Sequence, residues 1–235
     1  MFTIQLPIYG ILYNLYIDNS WISSAEYVLG AMFLTSFFTH SLVLSCMRFC
    51  AVKFPLKYHK LITIKKIIIV IIGMILFDLS IGVGTLFFPA TYEYISETRS
   101  LIAKYKTKLA VYYMIFYGLT INGIIIIISF ILNVLNWYTI YKKKDNNSVK
   151  TKKDIVYGFY TFITFISTLL YYTYYVLRVI GTLSGEENYN EIANILITYV
   201  VEVVSLVNFY FLLIVSQDLR KLILKFTYLL IKKKN

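Results

Sequence analysis

The chain has 235 residues, of which 59% are hydrophobic and only 15% are charged. This balance excludes a disordered chain and argues against a water-soluble enzyme. The formal net charge is +11, which in a soluble domain would raise the question of a nucleic-acid partner, so its distribution along the chain decides its meaning. Two cysteines, Cys46 and Cys50, are too few for the disulfide framework of a small secreted module.

Long uncharged runs divide the chain into membrane spans. A helix needs about 20 apolar residues to cross a bilayer. An open sheet cannot lie in lipid because its edge amides would be unpaired, and the runs lack the alternating pattern of a barrel. The sequence therefore predicts an all-α transmembrane helix bundle, a single domain over residues 1–235. Its five full spans lie near residues 27–47, 67–88, 113–135, 155–177 and 192–215.

The segment 1–17 is also apolar, but it contains Pro7, Gly10 and Asn14. It lacks the basic region and the cleavage site of a secretory signal peptide. We interpret it as a partial sixth span, with a short interfacial or re-entrant segment as the alternative.

The basic residues lie mostly on one side of the predicted membrane. The loop after the first span, the loop after the third span and the tail 216–235 hold 18 of the 23 Lys and Arg residues. Because basic loops stay in the cytoplasm, this distribution predicts a multi-pass protein, of the plasma membrane, with a cytoplasmic C-terminus. The basic loops also suit anionic membrane lipid, so lipid rather than nucleic acid is the expected partner.

Patterns typical of catalysis are scarce. His40 and His59 are far apart, and we find no paired metal-ligand spacing, nucleophile motif or glycine-rich phosphate loop. The sequence therefore predicts no enzyme, no cofactor and no metal site.

Two acids fall near the centres of their spans, Asp78 and Glu202. An ionised carboxylate at this depth costs about 2.5–3.5 kcal/mol on insertion scales. Both side chains should therefore face the bundle interior, either protonated or paired with His40, with an amide such as Asn122 or Asn208, or with a bound cation. Structural hydrogen bonding and contact with a ligand or ion are the two open interpretations.

Four tyrosines cluster near the end of the fourth span: Tyr171, Tyr172, Tyr174 and Tyr175. Tyrosine rings are common at the boundary between acyl chains and headgroups, so an interfacial belt is one interpretation. The other is an aromatic wall, including Tyr171 and Tyr175, of a small-molecule pocket that faces outward.

The end of the first full span is more specific. Residues 45–58 read SCMRFCAVKFPLKY. This segment resembles the end of the third helix and the second cytoplasmic loop of seven-helix G-protein-coupled receptors, in the form found among nematode serpentine chemoreceptors of the srg superfamily, class srv or srg. Residues 206–221 resemble the seventh helix of those receptors as it passes into a short cytoplasmic helix. The order and sidedness of both segments agree with the topology derived from charge.

The resemblance implies that the five full spans are helices three to seven and that residues 1–17 are the tail of helix two. The chain is then about two helices short, as expected of a truncated product. Arg48 would be held within the bundle at rest and meet a heterotrimeric G protein when the sixth helix moves outward. Pro55 and Lys57 would lie on the coupling loop, and a small molecule would bind from the outer side, where 91–108 forms the second outer loop.

Several positions depart from the rhodopsin-like pattern. Met47 replaces the acid that precedes the corresponding arginine, which implies that this restraint on Arg48 is absent. The span 155–177 contains no proline, so its kink is not encoded in the usual way. Neither cysteine is extracellular, so a disulfide between the third helix and the second outer loop cannot form.

A chemosensory receptor is therefore the first functional hypothesis. The alternative is a small transporter or channel in which Asp78 and Glu202 are proton or cation sites. Against this alternative, the sequence shows no inverted repeat and no pair of helices broken by Gly or Pro in corresponding halves.

The topology makes a simple prediction about Asn146, which begins the chain's N-x-[ST] sequon. This residue falls in a predicted cytoplasmic loop and should never meet the glycosylation machinery. Treatment of the expressed protein with a glycosidase should leave its mobility on a gel unchanged. A glycan on Asn146 would contradict the predicted orientation.

Overall fold

A computed structural model describes residues 13–95, 100–142 and 149–184, together with isolated positions between 188 and 225. Most of the predicted partial span, most of the fifth span and Asn146 lie outside the described residues.

The described part of the chain is predominantly helical. Its helices are α1 (Tyr13–Asp18), α2 (Ser20–Lys53), α3 (Tyr58–Leu61), α4 (Ile64–Gly84), α5 (Leu109–Met114), α6 (Asn122–Lys142) and α7 (Val149–Ser184). A 3₁₀ turn, Thr85–Phe87, follows α4, and a π-helical segment, Ile115–Ile121, joins α5 to α6. Two antiparallel strands, β1 (Ala90–Ile95) and β2 (Ser100–Tyr105), form a hairpin between α4 and α5.

Four stretches of helix are long and apolar enough to cross a membrane: Ser20–Lys53, Ile64–Phe87, Leu109–Lys142 and Asp154–Gly181. Each overlaps one of the first four spans predicted from the sequence. The predicted all-α transmembrane class is thereby confirmed, while the limits of the spans and the single domain over 1–235 stay predictions.

Helix α6 has the polarity of a helix surrounded by lipid. Its exposed side carries large apolar residues, including Ile124, Ile127, Phe130 and Ile131. Its buried side carries Ser129, Asn133 and Asn136. In water this arrangement would expose apolar surface and hide polar groups, both at a cost in free energy. In lipid the same arrangement is favourable, because only the interior offers partners to polar groups.

The chain forms two compact units, one of residues 1–42 and 59–125, the other of residues 43–58 and 126–235. In the first unit, Ala31 of α2, Ile81 of α4 and Tyr117 of the π-helical segment are buried together. Tyr113 packs against this core, and its hydroxyl donates a hydrogen bond to the Ile81 carbonyl at 2.8 Å. The core therefore ties three helical segments together.

A glycine allows α2 and α4 to approach each other closely. A Cβ atom on Gly82 would lie 2.7 Å from the Val28 carbonyl oxygen and 3.2 Å from the Met32 Cβ. Small residues at such positions let the backbones of membrane helices pack in direct contact.

The hairpin is an element that the sequence analysis did not predict, since it expected only a loop over 91–108. Its middle is fixed to α2 by two hydrogen bonds. Tyr92 of β1 lies directly opposite Ala103 of β2. The Tyr92 hydroxyl donates to Glu26 Oε2, and the Tyr27 hydroxyl donates to the Ala103 carbonyl, each at 2.7 Å. Two consecutive residues of α2 therefore hold both strands.

In the second unit, α6 packs against α7 and against the last part of α2. A Cβ atom on Gly158 of α7 would lie 3.1 Å from Ile140 Cδ1 of α6. The ring of Trp137 meets Phe159 edge-on at 5.0 Å. The amide nitrogen of Asn133 donates to the Ser45 hydroxyl at 2.9 Å, which links α6 to α2.

The packing around Gly82 predicts an asymmetry between two glycines of α4. We expect Gly82→Ala to destabilise the protein by roughly 1–3 kcal/mol, because the methyl group would overlap the backbone of α2. Gly73→Ala is the matched control, since nothing lies within 4 Å of a Cβ there, and its helix propensity should make it neutral or stabilising by up to about 1 kcal/mol. Thermal unfolding in lipid nanodiscs measures both variants. Equal melting temperatures would contradict the close contact.

Candidate functional site

Arg48 lies on a buried face near the end of α2. Arg48 lies three residues after Ser45 and four residues before Val52. These spacings place the three side chains on the same side of the helix. Ser45 and Val52 are buried, and the Arg48 side chain is only 11% exposed. The sequence of this helix end therefore directs a cationic side chain towards the interior of the second unit.

The partner of Arg48 is Asp154, near the start of α7. Arg48 Nη2 donates to Asp154 Oδ1 at 2.9 Å and to the Asp154 main-chain carbonyl at 2.6 Å. The Tyr157 ring lies with its centroid 5.3 Å from the guanidinium carbon, within cation–π range. The Asp154 side chain is 28% exposed, so this pair is better shielded from salt than a surface ion pair. Helix α7 thus holds Arg48 by charge, hydrogen bonding and an aromatic face.

This ion pair supplies a restraint that the sequence analysis did not foresee. In rhodopsin-like receptors an acid precedes the corresponding arginine, and Met47 stands at that position here. The resemblance therefore implies that α2 itself does not restrain Arg48. The acid comes from a different helix instead. Breaking the Arg48–Asp154 pair would therefore loosen α7 from α2, which a pair within one helix could not do.

Pro55 and Lys57 lie in the turn that follows α2. The Phe54 amide closes the last turn on the Cys50 carbonyl at 3.0 Å, and the Lys57 amide donates to the Phe54 carbonyl at 3.1 Å. Pro55 is half-buried, Lys57 is exposed, and Leu56 between them is 95% exposed. The turn therefore presents an aliphatic and a cationic side chain at the end of α2.

Asp78 is buried in the first unit, 2% exposed. Its two carboxylate oxygens lie 3.2 and 3.3 Å from the Thr39 hydroxyl, which donates to them, and the Ser36 side chain also faces the carboxylate. His40, one of the expected partners, is exposed. The geometry is that of a structural hydrogen bond between α2 and α4.

Buried amides form a second group of polar side chains. Asn122 is fully buried in the first unit, and neither of its amide atoms has a hydrogen-bond partner among the described residues. The same holds for Asn136 in the second unit. Asn133 donates to Ser45 and to the Ser129 carbonyl. Buried amides are normally hydrogen-bonded, and the part of the chain that the structure describes supplies no partner for Asn122 or Asn136.

The tyrosine cluster divides by burial. Tyr175 is buried, whereas Tyr171 is half-buried and meets the Tyr174 ring edge-on at 6.0 Å. Both interpretations of the cluster, an interfacial belt and an aromatic wall of an outward-facing small-molecule pocket, stay predictions. Glu202 and Asn208 lie outside the described residues, and their predicted roles stay predictions.

A carboxylate also lies near the other end of α2. Glu26 is half-buried and accepts the hydrogen bond from Tyr92 described above. Burial, followed by the bond to Glu26 and the charge of its carboxylate, raises the pKa of Tyr92 above the usual range. The phenol therefore stays protonated and remains a donor.

Sequence reasoning missed Asp154 and Glu26 as site residues. One signal could have found both, because each acid directly precedes an uncharged run, 155–177 and 27–47 respectively. Thr39 carries no such signal, since threonine is common inside helices of membrane proteins and only the fold brings it to Asp78.

The Thr39–Asp78 contact predicts a strong coupling between two substitutions. Thr39→Val leaves the buried carboxylate with fewer donors and should cost roughly 1–3 kcal/mol of stability. Adding Asp78→Leu should recover most of this loss, because apolar replacement of both partners removes the unpaired group. Thr139→Val is the control, since Thr139 is half-buried and its hydroxyl bonds within its own helix. Additive losses in nanodisc melting curves would show that the two side chains are independent.

The sequence as a whole agrees with a known receptor family. A comparison with models of protein families matches residues 1–228 to the family described as serpentine type 7TM GPCR chemoreceptor Srv. A comparison with curated proteins found no match. The matched residues include Arg48, its partner Asp154 and the four membrane-spanning helices, and they confirm the resemblance seen in residues 45–58. The chain belongs to the Srv family of serpentine seven-transmembrane chemoreceptors and is a multi-pass membrane protein.

Proposed function

We propose that this chain detects a small molecule on the outer face of the plasma membrane and signals to a heterotrimeric G protein at its cytoplasmic face. Family membership supports a membrane chemoreceptor. The ligand side, the G-protein side and the orientation are inferred from the residues at the two ends of α2.

The observation that carries the proposal is the Arg48–Asp154 pair. A G protein that binds to the helix ends needs a charged group that is hidden in one conformation and available in another. Arg48 meets this need, because among the described residues it is held by its contacts with Asp154 and Tyr157 on α7. Movement of α7 away from α2 would release the guanidinium group at the cytoplasmic surface. Such a switch requires a ligand with different affinities for the two conformations.

The turn after α2 completes the proposed coupling surface. Leu56 offers an aliphatic side chain to a partner, and Lys57 offers a charge, while Pro55 stiffens the backbone between α2 and these residues. An exposed leucine alone is common on protein surfaces. Here Leu56 supports the proposal because it lies in the turn directly after α2, the helix that carries Arg48.

In the proposed orientation this surface faces the cytoplasm. The basic loops predict it from the sequence. Helix α2 runs without a break from Glu26 to Arg48, which is about 30 Å at 1.5 Å per residue and matches the hydrocarbon thickness of a bilayer. Glu26 and the hairpin bonded to it then lie at the outer face, where a ligand would arrive.

The ion pair predicts opposite effects of two substitutions on signalling. Asp154→Asn removes the charge that holds Arg48, and it should raise ligand-free nucleotide exchange about tenfold. This factor corresponds to a shift of about 1.4 kcal/mol in the equilibrium between the two conformations. Arg48→Met should abolish exchange in either conformation. The assay uses the full chain in nanodiscs with one purified heterotrimer from each Gα class, followed by uptake of a non-hydrolysable GTP analogue.

Glu93→Gln is the control, because it breaks the exposed Glu93–Lys104 pair and should leave exchange unchanged. Each variant is compared at equal amounts of folded protein. Equal exchange by wild type, Asp154→Asn and Arg48→Met with every heterotrimer would contradict the proposed function.

A further inference from the structure

A half-buried carboxylate, Glu26, lies at the hairpin end of α2 and forms no ion pair with the residues that the structure describes. Within the described residues, ion pairs form between Arg48 and Asp154 and between Lys104 and Glu93, and neither involves Glu26. The hydrogen bond from Tyr92 goes to Glu26 Oε2. It satisfies one oxygen and neutralises no charge, since the phenol is a neutral donor. The carboxylate is half withdrawn from water and meets no cation among the described residues, so a positive charge bound there would be stabilised.

Further aromatic rings lie close to Tyr92, the hydrogen-bond partner of this carboxylate. Tyr92 meets the ring of Tyr16 edge-on, with centroids 5.2 Å apart. Tyr27, the next residue of α2 after Glu26, stacks on Tyr105 at 3.9 Å. The Tyr16 and Tyr27 phenols lie near enough to Tyr92 to contribute to its raised pKa, after burial and the influence of Glu26. Tyr16 of α1 and Tyr27 of α2 therefore lie close to the hairpin tyrosine that bonds to Glu26.

An acid among aromatic faces matches one class of ligand. The carboxylate attracts a positive charge, and the negative faces of aromatic rings do the same without carrying a charge. A neutral ligand would leave the Glu26 charge unpaired, and an anion would be repelled by it. A metal ion is disfavoured, because no group of three or more His, Cys, Asp or Glu side chains is gathered among the residues that the structure describes.

We propose that Glu26 and the surrounding tyrosines bind the ammonium group of a small organic cation. This inference rests on the proposed function, which puts the site at the outer face of the membrane. It adds the chemical class of the ligand. Glu26 supplies the charge, while Tyr16, Tyr27 and Tyr92 supply ring faces and hydroxyl groups. Tyr92 also sets the orientation of the carboxylate through its bond to Oε2.

The test compares cations with neutral molecules of the same shape. The full chain in nanodiscs is titrated with choline and with phenethylamine, each against its neutral analogue, 3,3-dimethyl-1-butanol and 2-phenylethanol. Binding is followed as the rise in melting temperature with ligand concentration. We expect a saturable rise with at least one cation and none with its neutral analogue.

Glu26→Gln is the key variant, because it keeps an oxygen acceptor for Tyr92 and removes only the charge. It should weaken cation binding at least about tenfold, since 1.4 kcal/mol of lost charge interaction corresponds to that factor. Glu93→Gln is the control, because Glu93 lies on the same hairpin as Tyr92 but is exposed and paired with Lys104. This variant should bind cations as the wild type does. Tyr92→Phe should retain binding to within a few-fold, since the charge and the ring remain.

The inference is overturned if no cation in the series gives a shift that its neutral analogue lacks, or if Glu26→Gln binds as wild type. Equal loss of binding in Tyr92→Phe and Glu26→Gln, with a lower melting temperature for both proteins alone, would also overturn it. Glu26 would then serve only to hold the hairpin. No G protein is present in this assay, so its result is separate from that of the nucleotide-exchange experiment.

Discussion

The rest of the structure depends on one constraint, that polar and charged side chains in a lipid-embedded bundle must find partners inside it. Lipid accepts the isoleucine-rich outer side of α6 and offers nothing to Asn133 or Asn136 on its inner side. The same constraint accounts for Asp78, which points inward and accepts from Thr39. Interior polar groups are therefore where the helices recognise one another, because apolar packing alone discriminates poorly between neighbours in lipid.

Arg48 is the strongest case of this constraint. A guanidinium group cannot lose its charge, so it must be paired wherever it is withdrawn from water. Its pairing with Asp154 joins α2 to α7 in the second unit. We propose that signalling breaks this ion pair, because α2 and α7 can separate at this point only when the pair is broken. The partly exposed position of Asp154 keeps that cost moderate, as a reversible switch requires.

At the other end of α2, hydrogen bonds occupy the place of a covalent link. Rhodopsin-like receptors have a disulfide between the third helix and the second outer loop, and the sequence departs from that pattern because its cysteines are Cys46 and Cys50. Tyr27 and Tyr92 join α2 to the hairpin instead. Both described cysteines are free, and they lie near the opposite end of α2. A link of two hydrogen bonds is weaker than a disulfide, so the hairpin would shift more easily if a ligand bound at the proposed site beside it.

The sequence predicted the helical class and the first four crossings because uncharged length and charge asymmetry are local signals. It also pointed to Arg48 through a contiguous motif. It missed the hairpin because the alternating tyrosines of 90–105 lie in a segment that reads as a loop, and their pairing with α2 is a long-range contact. It missed the partners Asp154 and Thr39 for the same reason, since each meets its target only after two distant helices have packed together.

If Asp154 holds α7 against the end of α2, the distance between these two helices should depend on that side chain. Spin labels at the exposed positions Lys53 and Val156, with Cys46→Ser and Cys50→Ser to remove background labelling, report that distance by electron–electron resonance in nanodiscs. The account predicts one short, narrow distribution in the otherwise unchanged protein and a longer, broader one after Asp154→Asn. Identical distributions for the two proteins would contradict it.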